Sequence, residues 1–379
     1  MSEMIAQRYS ASGSSAFEES LSRMLSGIKA AFEQKIPQSL ISALVLGGGY
    51  GRGEGGVLAQ NETEKPYNDL DFFVFTKDIN PLQKRSLMNA LQILHEELSE
   101  QYGIDVDFSV PQRASKLPHM KISQMYFDLR NGHRVVQGNP RILAALPNWT
   151  KAELPLTEAL RLLLNRAMGL YFAQEKLAAE DAAHELDFIN RNIHKAFQAI
   201  AEAILIAESN YDSSVSVRAE LIRNTDISSY CASSSLLPEM LKAMEFKLKP
   251  HIPEFSFEVL QNRLELAIRS LQEVYYALWT KELNTPIHDY DSLAGALESS
   301  TNRFSVKNFL LNARDFRLRR FSVAAYGRYP RYRLYLALPY FLFQQSSGSV
   351  DITDILGCGP NTEFEQLKAS FIKLWQRYN

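Results

Sequence analysis

Residues 44–56 read LVLGGGYGRGEGG, and residues 68–75 read NDLDFFVF. The first stretch ends a β-rich run, Ile41 to Leu46, in three glycines, Gly47, Gly48 and Gly49. Glycine accepts positive φ and carries no Cβ, so the chain can turn sharply there and bring its backbone close to a ligand. Successive backbone N–H groups on such a turn make a concave anion site suited to a triphosphate. The second stretch reads as a strand from Leu70 to Phe75. Asp69 and Asp71, two residues apart, share one face of it, and Leu70, Phe72 and Val74 anchor the other. Adjacent carboxylates repel unless a divalent cation neutralises them. Mg²⁺ suits such a pair, because it takes one or two carboxylates and completes its shell with water and phosphate oxygens.

Working outward, Phe17 to about Lys35 is predicted helical, with Leu21, Met24, Leu25 and Ile28 recurring at spacings of three and four. Leu82 to about Glu100 repeats the pattern through Leu87, Leu91, Leu94 and Leu98. Between the glycines and Asp69 the chain is polar and reads as a long loop. Ile104 to Val110 (IDVDFSV) alternates, with Ile104, Val106, Phe108 and Val110 on one side and Asp105, Asp107 and Ser109 on the other. A third carboxylate on this strand would permit two metal ions, and either Asp105 or Asp107 could supply it. The order helix, strand, strand, helix, strand gives a small α/β unit with helices on one face of a sheet.

After Pro147 the pattern turns helical. Apolar stripes run through Leu156 to Leu170, Phe188 to about Ala207 and Phe257 to about Leu283, with only a weak strand signal at Tyr332 to Leu336. The expected fold class is therefore α+β: an α/β domain with a mixed sheet over 1–150, then a mainly α-helical domain over 151–379. The Ser-rich stretches 209–216 and 227–235 read as loops.

The chain has 379 residues, 46% hydrophobic and 22% charged, ordinary for a globular protein with a substantial core. With 41 basic and 43 acidic side chains the formal net charge is -2, so any anion-binding surface must be local and RNA is the weaker partner. The two cysteines, Cys231 and Cys358, are in no metal-ligand spacing and suit a reducing cytosol. The polar N-terminal stretch lacks an apolar signal-peptide core, and no apolar run reaches the ~20 residues of a membrane span. A cytoplasmic protein without a transmembrane segment is expected.

The segment Gly48-Gly49-Tyr50-Gly51-Arg52-Gly53-Glu54, followed by Asp69-Leu70-Asp71, resembles the signature of the DNA polymerase β nucleotidyltransferase superfamily. Its flavour is closest to the bacterial minimal and aminoglycoside nucleotidyltransferases. The resemblance implies that Gly48 and Gly49 contact the nucleotide triphosphate, and Gly47, as part of the same turn, completes the expected phosphate-binding set. It also implies that Asp69 and Asp71 bind Mg²⁺, in two ions with a third acid that acts as general base. That role falls to Asp107, with Asp105 as the alternative; Arg52 joins the nucleotide-binding set. The gap before Asp69 exceeds the family's spacing by about eight residues, a polar insertion whose closure cost grows only logarithmically with length.

The stretch Tyr126-Phe127-Asp128-Leu129, then Gly132 to Gly138, is similar to the tail of the same catalytic domain, and Phe188 to Arg218 to the helices that follow it. There Arg191 and Lys195 are four apart on one helix face and could meet one triphosphate, Lys195 being the candidate ligand; a solvated basic face explains them as well. Tyr211, Ser214 and Arg218 match a recurring pattern that capping and packing explain equally. Seven arginines between Arg314 and Arg333, interleaved with aromatics, suit an anionic acceptor, an acidic partner or lipid headgroups, or simply pair with neighbouring acids. The histidines, among them His119, His133, His184 and His194, show no metal spacing.

The expected activity is Mg²⁺-dependent transfer of a nucleoside monophosphate, AMP from ATP, to a hydroxyl of a small molecule or protein, releasing pyrophosphate. The alternative is a nucleotide-binding regulator or partner-binding scaffold of the same fold in which catalysis has decayed.

Overall fold

The computed structural model describes residues 8–60, 63–179, 184–252, 257–299, 305–316 and 327–379. The chain forms two compact units. The first comprises 1–155 together with 209–223 and 241–252; the second comprises 156–208, 224–240 and 253–379. Segments 209–223 and 241–252, grouped by the sequence pattern with the helical part, thus belong with the sheet.

The first unit is built on a mixed sheet. Strand β1 (Ile41–Leu46) lies at its centre, with β4 (Leu70–Thr76) and β7 (Arg134–Gly138) antiparallel on either side. Beyond β4, the short strands β5 (Val106–Phe108) and β6 (Gln112–Arg113) pair with it in parallel. β1 is buried on both faces, as a continuous apolar run in a central strand requires. Leu44, Leu46, Leu70, Phe72, Val74 and Val106 pack one face against α1 (Ser15–Lys35) and α3 (Pro81–Tyr102). Each helix presents its predicted stripe: Leu21, Leu25 and Ile28 on α1, and Leu87, Leu91, Leu94 and Leu98 on α3. Helix α3 is closed at both ends by sequence, with a capping box between Asn80 and Gln83 and a left-handed Gly103.

The opposite face is not bare, as helices on one face alone would leave it. Ala43, Val45 and Phe75 meet Tyr126 and Leu129 of α4 (Gln124–Asn131), and Leu117, Ile142, Leu143 and Leu146 from short 3₁₀ turns. Those turns are too short for a 3.6-residue period to announce them.

Three further expectations change. The polar stretch before Asp69 is not simply a loop: β2 (Val57–Gln60) and β3 (Thr63–Pro66) form a hairpin with Val57↔Pro66 and Gln60↔Thr63 in register. Only Val57 of it is buried, so backbone pairing forms the hairpin with almost no apolar alternation to reveal it. The strand expected over Ile104 to Val110 shrinks to three residues, and Val110 is exposed. There Ser109 Oγ accepts the Val74 N–H at 3.1 Å, and Pro111, with no N–H, interrupts the ladder before β6. Finally, Tyr332 to Leu336 is helical.

The helices after residue 155 are α5 (Leu156–Leu177), α6 (Leu186–Ala207), α7 (Val215–Arg223), α8 (Leu236–Leu248), α9 (Phe257–Leu283), α10 (Tyr290–Ser299), α11 (Val306–Phe316), α12 (Arg331–Phe341), α13 (Ile352–Leu356) and α14 (Phe364–Tyr378). In the second unit α5, α6 and α9 pack mutually. α6 is buried nearly all round, from Ile189 to Ile206, which makes it the central helix of that group. α12 buries Leu334, Ala337, Leu338 and Phe341 among α5, α10, α13 and α14, a helical spacing that overrides the β-propensity of its tyrosines. Buried charge is paired: Arg263 holds Glu239 through Nε at 3.2 Å and Nη2 at 2.9 Å and reaches Asn190 Oδ1 at 3.2 Å. No helix of the described residues is long and apolar enough to cross a membrane.

Candidate active site

Gly47, Gly48 and Gly49 do not form an open loop. They begin a one-turn helix, α2 (Gly48–Arg52), which leaves β1 and ends at the left-handed Gly53. Each glycine answers a specific closeness. Gly48 has φ +59°, and a Cβ there would overlap Oδ2 of Asp71. At Gly47 a Cβ would enter the ring of Phe73, and at Gly51 the Leu46 carbonyl. Gly47 and Gly49 are buried and only Gly48 is partly exposed, so two of the three expected phosphate-cradle residues are packing positions. The next glycines wrap Tyr50, whose hydroxyl donates to Gly56 O at 2.6 Å and accepts the Tyr67 N–H at 3.0 Å. Asn68 Oδ1 accepts the Gly56 N–H at 3.0 Å, which closes the loop just ahead of Asp69.

β4 then delivers the carboxylates. Its first residues project Asp71 towards α2 while Leu70 and Phe72 enter the core. β5 runs parallel to it with Asp71 and Asp107 as direct register partners, and Leu70 N–H donates to Asp105 O at 2.9 Å. Parallel in-register neighbours stand about 5 Å apart at the backbone, so the two side chains emerge side by side. Burial first, then the charges of Asp69 and Asp107, push the Asp71 carboxyl up from its ordinary range to about 6, with Lys247 and Arg52 partly offsetting them. Asp107 is also raised, by partial burial and then by Asp69, with His95 opposing. Asp107, rather than Asp105, is thus the acid coupled to Asp71.

Asp107 leans outward. Its side chain is half exposed, and its Oδ1 lies 3.3 Å from Nδ1 of His95, which is itself 3.0 Å from the Val106 carbonyl. Among the described residues no group of three or more His, Cys, Asp or Glu side chains is arranged to hold a metal ion. The expected metal set Asp69, Asp71 and Asp107 is therefore coupled through its charges but not assembled as one coordination shell. Asp69 and Asp71 alone still match the one or two carboxylates that Mg²⁺ takes when phosphate and water complete its shell.

Arg52 is engaged structurally. It lies 3.7 Å from Glu54 and 3.8 Å from Asp128, with its side chain 12% exposed. Glu54 caps α7, accepting Ser214 Oγ at 2.6 Å and the Val215 N–H at 3.0 Å. Tyr211 O–H lies 3.0 Å from both Asp128 oxygens, and Arg218 Nη1 holds Tyr211 and the carbonyls of Asp212 and Ser213. The Tyr211, Ser214 and Arg218 pattern is thus a cap and a buried network that ties residues 211–215 to Glu54 and Asp128. Lys247, whose charge acts on Asp71, had no sequence signal: it stands 176 positions further along the chain, in an ordinary Lys-rich helix end.

Lys195 lies on α6 in the second unit, half-buried, one turn after Arg191, which pairs with Asp187 at 3.0 Å. In the Arg-rich segment, Arg314 pairs with Asp315 at 2.8 Å, and Arg333 is buried over the Phe316 ring with its Nε 3.1 Å from Asn312 Oδ1. Arg317, Arg319, Arg320, Phe321 and Tyr326 lie outside the described residues. Of the histidines, His194 is buried beside Arg263 at 3.5 Å. No family model and no curated protein matches this chain.

Proposed function

We propose that the first unit is a nucleotidyltransferase that moves a nucleoside monophosphate, AMP from ATP, to an acceptor hydroxyl. The single observation that carries this reading is the register pairing of Asp71 with Asp107, two residues after Asp69 and against the backbone of Gly48. Asp69 raises the proton affinity of both Asp71 and Asp107, a concentration of negative charge that suits a cationic ligand at that corner of the sheet. Bound Mg²⁺ would supply charge neutralisation for the triphosphate, held by Asp69 and Asp71.

The chain's own groups divide the remaining work. Asp107, the outermost acid, accepts the proton of the acceptor hydroxyl, with His95 orienting its carboxylate. The acceptor oxygen forms its bond to the α-phosphorus as the α–β bridging bond breaks and pyrophosphate leaves, so atoms and charge balance with one proton released. Lys247 and Arg52 place positive charge beside Asp71, where the anion accumulates. A small molecule or a protein side chain is the acceptor class.

A second reading has its own support. Gly47 and Gly49 are enclosed, which leaves less open backbone for a triphosphate and supports a nucleotide-binding regulator of the same fold as the alternative. The test is incubation of the full chain with nucleotides labelled at the α-phosphate, Mg²⁺ and a cell extract. Label moving to protein or metabolite, and lost in Asp71→Asn, supports transfer. Mg²⁺-dependent ATP binding in titration calorimetry with no label moved supports the regulator, and the absence of both label transfer and ATP binding overturns both readings.

A further inference from the structure

The second unit contains a cleft of about 510 Å³ that the carboxylate site does not use. Its walls are the end of α11, the turn Gly357 to Gly359 and one side of α14. That volume is ordinary for a small-molecule site. Arg314, Lys373 and Arg377 line it with a single acid, Asp315, so three cations less one anion leave two positive charges.

The acid organises the cations. Asp315 has a side chain only 6% exposed and takes Arg314 Nε at 2.8 Å, Arg314 Nη2 at 3.2 Å and Arg377 Nη1 at 3.1 Å. Arg314 Nη2 also reaches the Tyr378 hydroxyl at 3.3 Å. These bonds fix both guanidinium groups yet leave donors unspent, since each carries five N–H groups. Two positioned guanidinium forks with a lysine on the same lining match the several oxygens and double charge of a phosphate monoester better than a planar carboxylate. Ser370 adds a hydroxyl on the same wall. A bare phosphate would fill little of the space, which leaves room for the body of an ester.

We propose that this cleft binds a phosphate-bearing small molecule, gripped by Arg314, Lys373 and Arg377. The site is independent of the carboxylates at Asp69 and Asp71, and the Asp69→Asn/Asp71→Asn variant is expected to keep it.

Cys358 lines the cleft and Cys231 is buried, so alkylation of Cys358 by uncharged iodoacetamide reads the site directly. The probes are inorganic phosphate and AMP, with sodium chloride at equal ionic strength as the control, and the site of alkylation is read by peptide mass spectrometry. At ten times its Kd a bound anion slows alkylation about tenfold. The expected result is protection by phosphate and more strongly by AMP, none by chloride, and loss of protection in Lys373→Ala/Arg377→Ala. Both variant positions are exposed and Arg314 still holds Asp315 in the double variant, whose folding circular dichroism checks. Lys373→Ala alone, which leaves the Arg377–Asp315 bond in place, is expected to weaken protection. Equal protection by chloride, no protection by either probe, or protection retained in the double variant overturns the proposal.

Discussion

The missing Cβ of Gly48 and the carboxylate of Asp71 compete for one place. A methyl group at 48 would overlap Oδ2 of Asp71, and the backbone there is left-handed at φ +59°. Gly48→Ala is therefore expected to destabilise the fold by about 1–2 kcal/mol from backbone strain, with a further loss from displacing Asp71. Asp71→Ala in the same chain relieves the overlap but not the strain, so the double variant recovers part of the loss. Urea unfolding of the four chains in a double-mutant cycle measures the split, and full additivity would mean that the two groups do not meet.

Asp71 also sets a pH dependence. Its carboxyl lies at about 6, above its ordinary value of 3.8, so between those limits the folded chain binds more protons than the unfolded one. Stability on this account falls as pH rises through that window and is lowest above it. Without divalent cations, Asp71→Asn is expected to gain about 2–3 kcal/mol at pH 7.5 and little at pH 4. A loss at both pH values in chemical denaturation would refute the shift. In the proposed activity, the Mg²⁺ concentration needed for half-maximal turnover rises as pH falls below about 6, because protons compete with the cation at Asp71.

Lys247 offers a test with opposite signs. Its charge opposes the acids at Asp71, so Lys247→Met is expected to tighten binding of Mg²⁺ alone and to weaken binding of the nucleotide triphosphate about tenfold. Calorimetry of each ligand separately distinguishes this from a folding defect, which would weaken both.

Glu54 carries a structural load from within the glycine-rich segment. Glu54→Ala uncaps α7, strands the Val215 N–H and removes an anion beside Arg52. A loss of about 2–4 kcal/mol follows from a cap and a buried charged hydrogen bond together. Glu54→Gln, which keeps one acceptor oxygen, should restore about half, as read by thermal unfolding.

In the second unit, Arg263→Met takes the guanidinium away from the buried Glu239 carboxylate, at an expected cost of about 3–5 kcal/mol, whereas Arg263→Met/Glu239→Leu recovers most of it. Guanidinium titrations of the two variants check the order.

Helices that bury a stripe were legible from their spacing: α1, α3, α6 and α9 appear where Leu21, Leu91, Ile193 and Leu264 recur at helical intervals. Strands whose pairing is mostly backbone were not, which is why β2 and β3 passed for a loop and β7 was not read as a strand at all. At the site, Asp69 and Asp71 could be read from a two-residue spacing on one strand. The choice of Asp107 over Asp105 could not, because it depends on register with β4, which alternation does not encode. The glycines signalled a close approach, but not that Asp71, Phe73 and the Leu46 carbonyl are what approach them.

The hydrogen bond from Ser214 to Glu54 joins positions 160 residues apart, and 241–252 joins the same unit. During synthesis the sheet must therefore wait: when residue 155 leaves the ribosome, Arg52, Glu54 and Asp128 have no Tyr211 or α7 to meet, and Asp71 has no Lys247. A gene truncated after that residue would encode a sheet that keeps the Arg52 ion pairs but lacks the hydrogen bonds of 209–223 and the charge of Lys247. Chain termination beyond residue 252 is the earliest point at which this half can be expressed whole.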